Sequence, residues 1–161
     1  MRWIWIDRFE RFESGREAVA VKAVTAAEEH LHDLYPGFPV FPASLIIEGM
    51  AQTAGILVGE ARSFREKVIL AKIGKADFHR MVRPGEMLRY HATADTINDT
   101  GASITGRVTA GDGQPVAEIS LMFSHIDQNI AGIEFPEHNF VFSGQFQELL
   151  ANFRKELDVT L

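Results

Sequence analysis

From Pro42 to Arg62 the sequence reads PASLIIEGMAQTAGILVGEAR, a helix-compatible stretch that is apolar on nearly every side. A helix of that kind has no face to offer to water and must be covered almost all round. Pro42 suits a first helical turn, because its φ is already fixed and it has no amide proton to leave unpaired. The spacing therefore predicts one long central helix from about Ala43 to Arg62. Within it the apolar run from Ala43 to Val58 is broken only by polar groups such as Glu48 and Gln52, and it falls short of a membrane span.

Most of what surrounds this helix reads as strand. RWIWIDRFERF and EAVAVKAVT alternate apolar with polar residues on either side of the turn ESG. Residues 26–42 form an irregular segment punctuated by Pro36, Gly37, Pro39 and Pro42. After the helix come EKVILAKIGKADFHRMV, MLRYHATADTI, ASITGRVTA and PVAEISLMFSHID, separated by turns at RPGE, NDTG and GDGQ. The order β-β-α-β-β-β-β implies an α+β protein in which a strongly curved antiparallel sheet wraps the helix, with a partner subunit as the alternative cover. Residues 1–127 read as one domain. Residues 128–161 form a C-terminal extension with an amphipathic helix at about 143–157, capped by Ser143. Its Phe146, Leu149, Leu150 and Phe153 are expected to pack on the same domain rather than on a partner.

Composition removes several functional classes. The 161 residues carry a formal charge of −6, which argues against a broad nucleic-acid-binding face. There is no cysteine, hence no disulfide and no thiolate chemistry. Acidic and basic residues appear too early in MRWIWIDRFERF for a signal peptide, so the expectation is a cytoplasmic protein without membrane insertion. No phosphate-binding glycine loop and no Gly-x-Ser-x-Gly elbow is present. His79, His91, His125 and His138 lack metal-ligand spacing, so structural roles are expected for them and no metal or cofactor is implied.

Glu48 is the residue that calls for chemistry. Apolar neighbours flank it, and Gln52 lies one turn further on the same face. A carboxyl desolvated there gains affinity for its proton and has the profile of a general acid. A buried acid satisfied by a local hydrogen bond is the plain structural alternative.

The stretch YPGFPVFPASLIIEGMAQTAGIL resembles the 3-hydroxyacyl-acyl-carrier-protein dehydratases of fatty-acid synthesis, whose motif is His-Phe-Pro-Gly-x-Pro-x-x-Pro-Gly followed by a helix bearing Glu and Ala-Met-Ala-Gln. Tyr35, Pro36, Gly37, Pro39, Pro42, Leu45, Glu48, Met50, Ala51 and Gln52 fall on matching positions without a gap. The likeness covers roughly residues 3 to 127. It implies the hotdog fold, a curved antiparallel sheet around one long helix. It also implies dehydration of a 3-hydroxyacyl chain on acyl carrier protein, and a homodimer or trimer of dimers with composite sites. By the same resemblance the thioester carbonyl is held by backbone amides near Ala43 and Gly37. Glu48 from the other subunit protonates the leaving hydroxyl, and Gln52 orients that carboxyl.

One departure is decisive. Where the family has its catalytic histidine, this chain has Leu34, which accepts no proton. Loss of a positioned base ordinarily costs about 10²–10⁴ in rate. His32 or His30, in EHLHD, is a candidate replacement, and Asp33 could orient such an imidazole or act as a weaker base. A catalytically silent subunit binding acyl carrier protein or an acyl chain is the alternative, and a hotdog thioesterase is a further one. Between Lys72 and Arg89 the basic residues outnumber the acidic ones, so Lys72, Lys75, Arg80 and Arg83 are candidates for docking an acidic carrier protein.

Overall fold

The buried helix and the sheet that covers it are both present in the computed structural model, which describes residues 3–126 and 144–159. Strands β1 (Arg8–Glu13) and β2 (Glu17–Ala23) form a hairpin, followed by a single turn of helix, α1 (His30–Asp33), and the long helix α2 (Ala43–Ala61). Four strands follow: β3 (Lys67–Phe78), β4 (Met87–Ile97), β5 (Gly101–Ala110) and β6 (Pro115–Ile126). Helix α3 (Gly144–Val159) comes last. The strands make one six-stranded antiparallel sheet in the order β1-β2-β4-β5-β6-β3. The α+β hotdog architecture expected from the sequence is the one observed.

Helix α2 satisfies the demand of its composition. Every residue from Gly49 to Gly59 is buried, although no more than a few of them are large. Gly49 lies so close to the fully buried Tyr90 of β4 that a Cβ there would stand 2.5 Å from the ring. Small residues thus let the helix sink against the sheet.

Four details differ from the sequence reading. The first strand begins at Arg8 rather than near Arg2: Trp3–Asp7 lies outside any strand, and its Trp5 N–H is donated to the Gln52 side chain at 2.7 Å instead of to a ladder. The segment before α2 is not wholly irregular, since α1 occupies its middle and the Leu34 N–H reaches back to the His30 carbonyl at 3.3 Å. Pro42 caps α2 from an extended conformation (φ −61°, ψ 138°) instead of forming its first turn. The C-terminal helix starts at Gly144 and runs to Val159; the Ser143 cap, the boundary after Asp127 and His138 lie outside the described residues. As expected, α3 packs on its own domain. Leu149, Leu150 and Phe153 are buried, and Phe153 meets Phe9 of β1 edge-on at 6.4 Å.

The RPGE turn is the one anticipated, with Gly85 at φ +96° and the Glu86 N–H bonded to the Arg83 carbonyl at 3.2 Å. Strand β3 closes the sheet at one end, and its Leu70, Ile73 and Phe78 remain exposed. Among the described residues no helix is long and apolar enough to cross a membrane.

Candidate active site

Helical spacing places Leu45, Glu48 and Gln52 on one face of α2. Gln52 is buried (7% exposed), and its side chain makes three hydrogen bonds. Its oxygen accepts the Trp5 N–H at 2.7 Å, and its amide donates to the Trp3 carbonyl at 3.1 Å and to Glu48 Oε1 at 2.8 Å. The backbone of the N-terminal segment therefore fixes Gln52, and Gln52 fixes the half-buried Glu48 carboxyl. Around this pair lies a cavity of about 300 Å³ whose other walls are apolar, among them Trp3, Ile56, Leu70, Phe123 and Phe146.

The start of α2 opens on a second cavity, of about 700 Å³, lined by Leu34, Phe41, Ala43, Ser44 and His79. The first amides of a helix have no intrahelical acceptor and carry the positive end of its dipole, so the exposed Ala43 and Ser44 present a place for a polarised carbonyl oxygen. The proline-rich segment is tied down by the Phe41 N–H, which donates to the Val82 carbonyl at 2.8 Å. Gly37 serves a tight turn: its φ is +77°, and the Phe38 N–H bonds the Tyr35 carbonyl at 3.0 Å. His79, for which only a structural role was expected, is exposed in the groove at the start of α2.

The two candidate bases are separated by the turn of α1. Residues 30 and 34 lie one helical turn apart on the same face, so His30 stands behind Leu34 while His32 points elsewhere. His32 is exposed, with Nε2 2.5 Å from the Ala26 carbonyl. His30 is wedged edge-on between Trp5 (5.2 Å between centroids) and Phe41 (5.7 Å). Its Nε2 is buried without a hydrogen bond among the described residues and lies 3.5 Å from Glu28 Oε2. Glu28 is held in turn by Lys22 Nζ at 2.8 Å, on a lysine only 8% exposed. His30 and Leu34 line a third cavity of about 710 Å³, together with Ser44, Leu45 and Trp3. Trp3 also borders the Glu48 cavity, so it lines both spaces.

Trp3, Trp5, Lys22 and Glu28 were not singled out by the sequence. The alternation of RWIWID is the same for a strand as for a segment that folds over a helix. Reading EEHLHDL as a helical turn would have paired His30 with position 34.

The expected basic patch is thinner in space than along the chain. Lys75 pairs with Asp77 at 2.8 Å and with Glu118 at 3.2 Å, and these partners raise its pKa. Arg80 is bonded to Glu86 at 2.6 Å, and Arg89 to Glu10 at 2.9 Å. Glu118 and Glu10 come from other strands, outside the local count. Arg83 stacks over the Phe38 ring at 4.5 Å, and Lys72 is exposed.

Comparison with known proteins adds four findings. A FabA-like domain matches residues 3–120. The chain is 36% identical over 123 residues to the 3-hydroxyacyl-acyl-carrier-protein dehydratase FabZ of Pelotomaculum thermopropionicum, covering 76% of this chain and 87% of the relative. In fold it is similar to the dehydratase heterocomplex ApeI:P from Xenorhabdus doucetiae (TM-score 0.65, 15% identity, 78% of this chain and 84% of that one). It is also similar to the thioesterase HI1161 from Haemophilus influenzae (TM-score 0.61, 14% identity, 78% and 81%). The fold alone is therefore shared by dehydration and hydrolysis.

Proposed function

Because the chain belongs to the FabA-like family, we propose that it removes water from a 3-hydroxyacyl thioester carried on acyl carrier protein, leaving the trans-2-enoyl thioester. The observation that carries this reading is the Glu48–Gln52 pair, a carboxyl fixed at 2.8 Å in an otherwise apolar cavity. The thioester oxygen lies against the first amides of α2 at Ala43 and Ser44, where negative charge developing on it is stabilised. His30 Nε2 takes the proton from the α-carbon, the C–H electrons form the new double bond, and the β-hydroxyl leaves with a proton from Glu48 as water. His30 is preferred to His32 because its residue lines the same cavity as Leu34, the position from which the family histidine acts.

The protein works as a homodimer in the cytoplasm. The outer edge of β3 exposes Leu70 and Ile73, and an apolar edge that no strand among the described residues pairs invites a second strand. Leu70 also lines the Glu48 cavity, so pairing two copies along β3 makes each site a shared one. Lys72 and Arg83 are the carrier-docking residues least committed to carboxylates.

Appearance of the enoyl thioester, followed by its absorbance, tests the reading. Glu48→Gln and His30→Ala are expected to lower the rate by about 10²–10⁴ each, His32→Ala to leave it unchanged, and Leu34→His to raise it. Leu34 at the base position also favours a second reading, a silent subunit that only binds acyl chains. Equal background rates for the unmodified chain, Glu48→Gln and His30→Ala would establish that second reading instead.

A further inference from the structure

Helix α3 lies outside the matched residues 3–120, yet it reaches the Glu48 cavity. Its apolar residues share one face, and Leu149, Leu150 and Phe153 are sunk into the core. Arg154 adds an ion pair to Glu60 near the end of α2. A helix anchored from Leu149 to Arg154 holds the residue one turn earlier in a fixed place. That residue is Phe146, whose partly buried ring forms a wall of the cavity together with Ile56, Leu70 and Phe123. Among the described residues Glu48 and Gln52 are the polar side chains of the lining, so the space beyond them suits hydrocarbon.

We propose that Phe146 is a specificity-determining residue: its ring closes the Glu48 cavity to long acyl chains, so that the C-terminal helix sets the acyl length this protein accepts. The inference rests on the dehydratase reading for the identity of the reacting end, and on the cavity for the length limit. Each methylene that enters an apolar wall strengthens binding about fourfold. A chain that meets an anchored ring gains no more and begins to overpack.

The test uses the full chain and saturated acyl-pantetheine thioesters of increasing length, which bind without turning over. Trp3 borders the cavity, so intrinsic tryptophan fluorescence reports occupancy. Affinity is expected to rise about fourfold per methylene up to a limiting length and then stop rising. Phe146→Ala moves that limit to chains longer by roughly two carbons or more, and Phe146→Trp moves it to shorter ones. Should the alanine variant fail to fold, the tryptophan variant decides alone, because a larger ring must shorten the limit. The same limit in the unmodified chain and in the folded variants overturns the inference, as does a fluorescence signal that ignores every chain. Acyl binding with the stated limit but no enoyl product from hydroxyacyl substrates refutes the proposed activity and leaves this inference standing.

Discussion

Replacing Gly49 with alanine sets two effects of opposite sign against each other. In a helix interior alanine is favoured over glycine by about 1 kcal/mol. At this position, however, the new methyl would stand 2.5 Å from Tyr90 Cζ, 2.6 Å from its hydroxyl oxygen and 2.9 Å from Cε2. Carbon atoms rest near 3.5–4.0 Å apart. Tyr90 is 0% exposed, so its ring has no room to swing aside. Overpacking of this kind costs about 1–3 kcal/mol, and contacts this short belong at or above the upper end. The net loss is then about 2 kcal/mol, which for a domain of this size lowers the melting temperature by about 4–8 °C. Gly55 is the control. It lies on the same helix, but an added Cβ there meets only Phe123 Cε1 at 3.6 Å, an ordinary contact. Gly55→Ala should therefore be more stable by up to about 1 kcal/mol. Calorimetric melting of both variants beside the unmodified chain makes the comparison. If Gly49→Ala melts no lower than Gly55→Ala, α2 does not seat against Tyr90 as closely as these distances require, and the reasoning fails.

Three further outcomes are expected. Tyr90→Phe should raise the melting temperature: its hydroxyl is buried without a hydrogen bond among the described residues, and removing such a group gains about 1 kcal/mol, readable by calorimetry. Gln52→Leu should cost about 1–3 kcal/mol in urea unfolding, because the Trp5 N–H loses its acceptor, and should also slow enoyl formation by releasing Glu48. The Arg80 guanidinium, aided by the Arg83 N–H, holds the Glu86 carboxyl below the usual carboxylate range against the opposing effect of burial. Stability from this pair is complete above the unfolded carboxylate pKa and is lost as pH falls through the lower folded value. Arg80→Ala should raise the Glu86 pKa in an NMR titration and flatten the loss of stability on acidification.

Much of the architecture was legible along the chain. The periodicity of residues 43–62 demanded a covered helix, and the alternating segments after it became β3 to β6 with bounds close to those expected. Glu48 and Gln52 were found from their spacing on one turn, and their hydrogen bond follows from that spacing. Such features are short-range: the residues that decide them lie within a turn or a hairpin of each other. Other features depended on residues far apart in sequence. Trp5 reaches Gln52 by leaving the strand that its alternation suggested, and Glu118 neutralises Lys75 from the neighbouring strand. The wall that Phe146 contributes to the Glu48 cavity comes from a helix nearly a hundred residues away. His30 rather than His32 shares a cavity with Leu34 because α1 makes a single helical turn, a choice that four residues of weak propensity cannot make alone. Periodicity and residue chemistry are written locally and can be read locally. Which distant groups meet is decided by packing, where burial of the whole core outweighs the preference of any one segment.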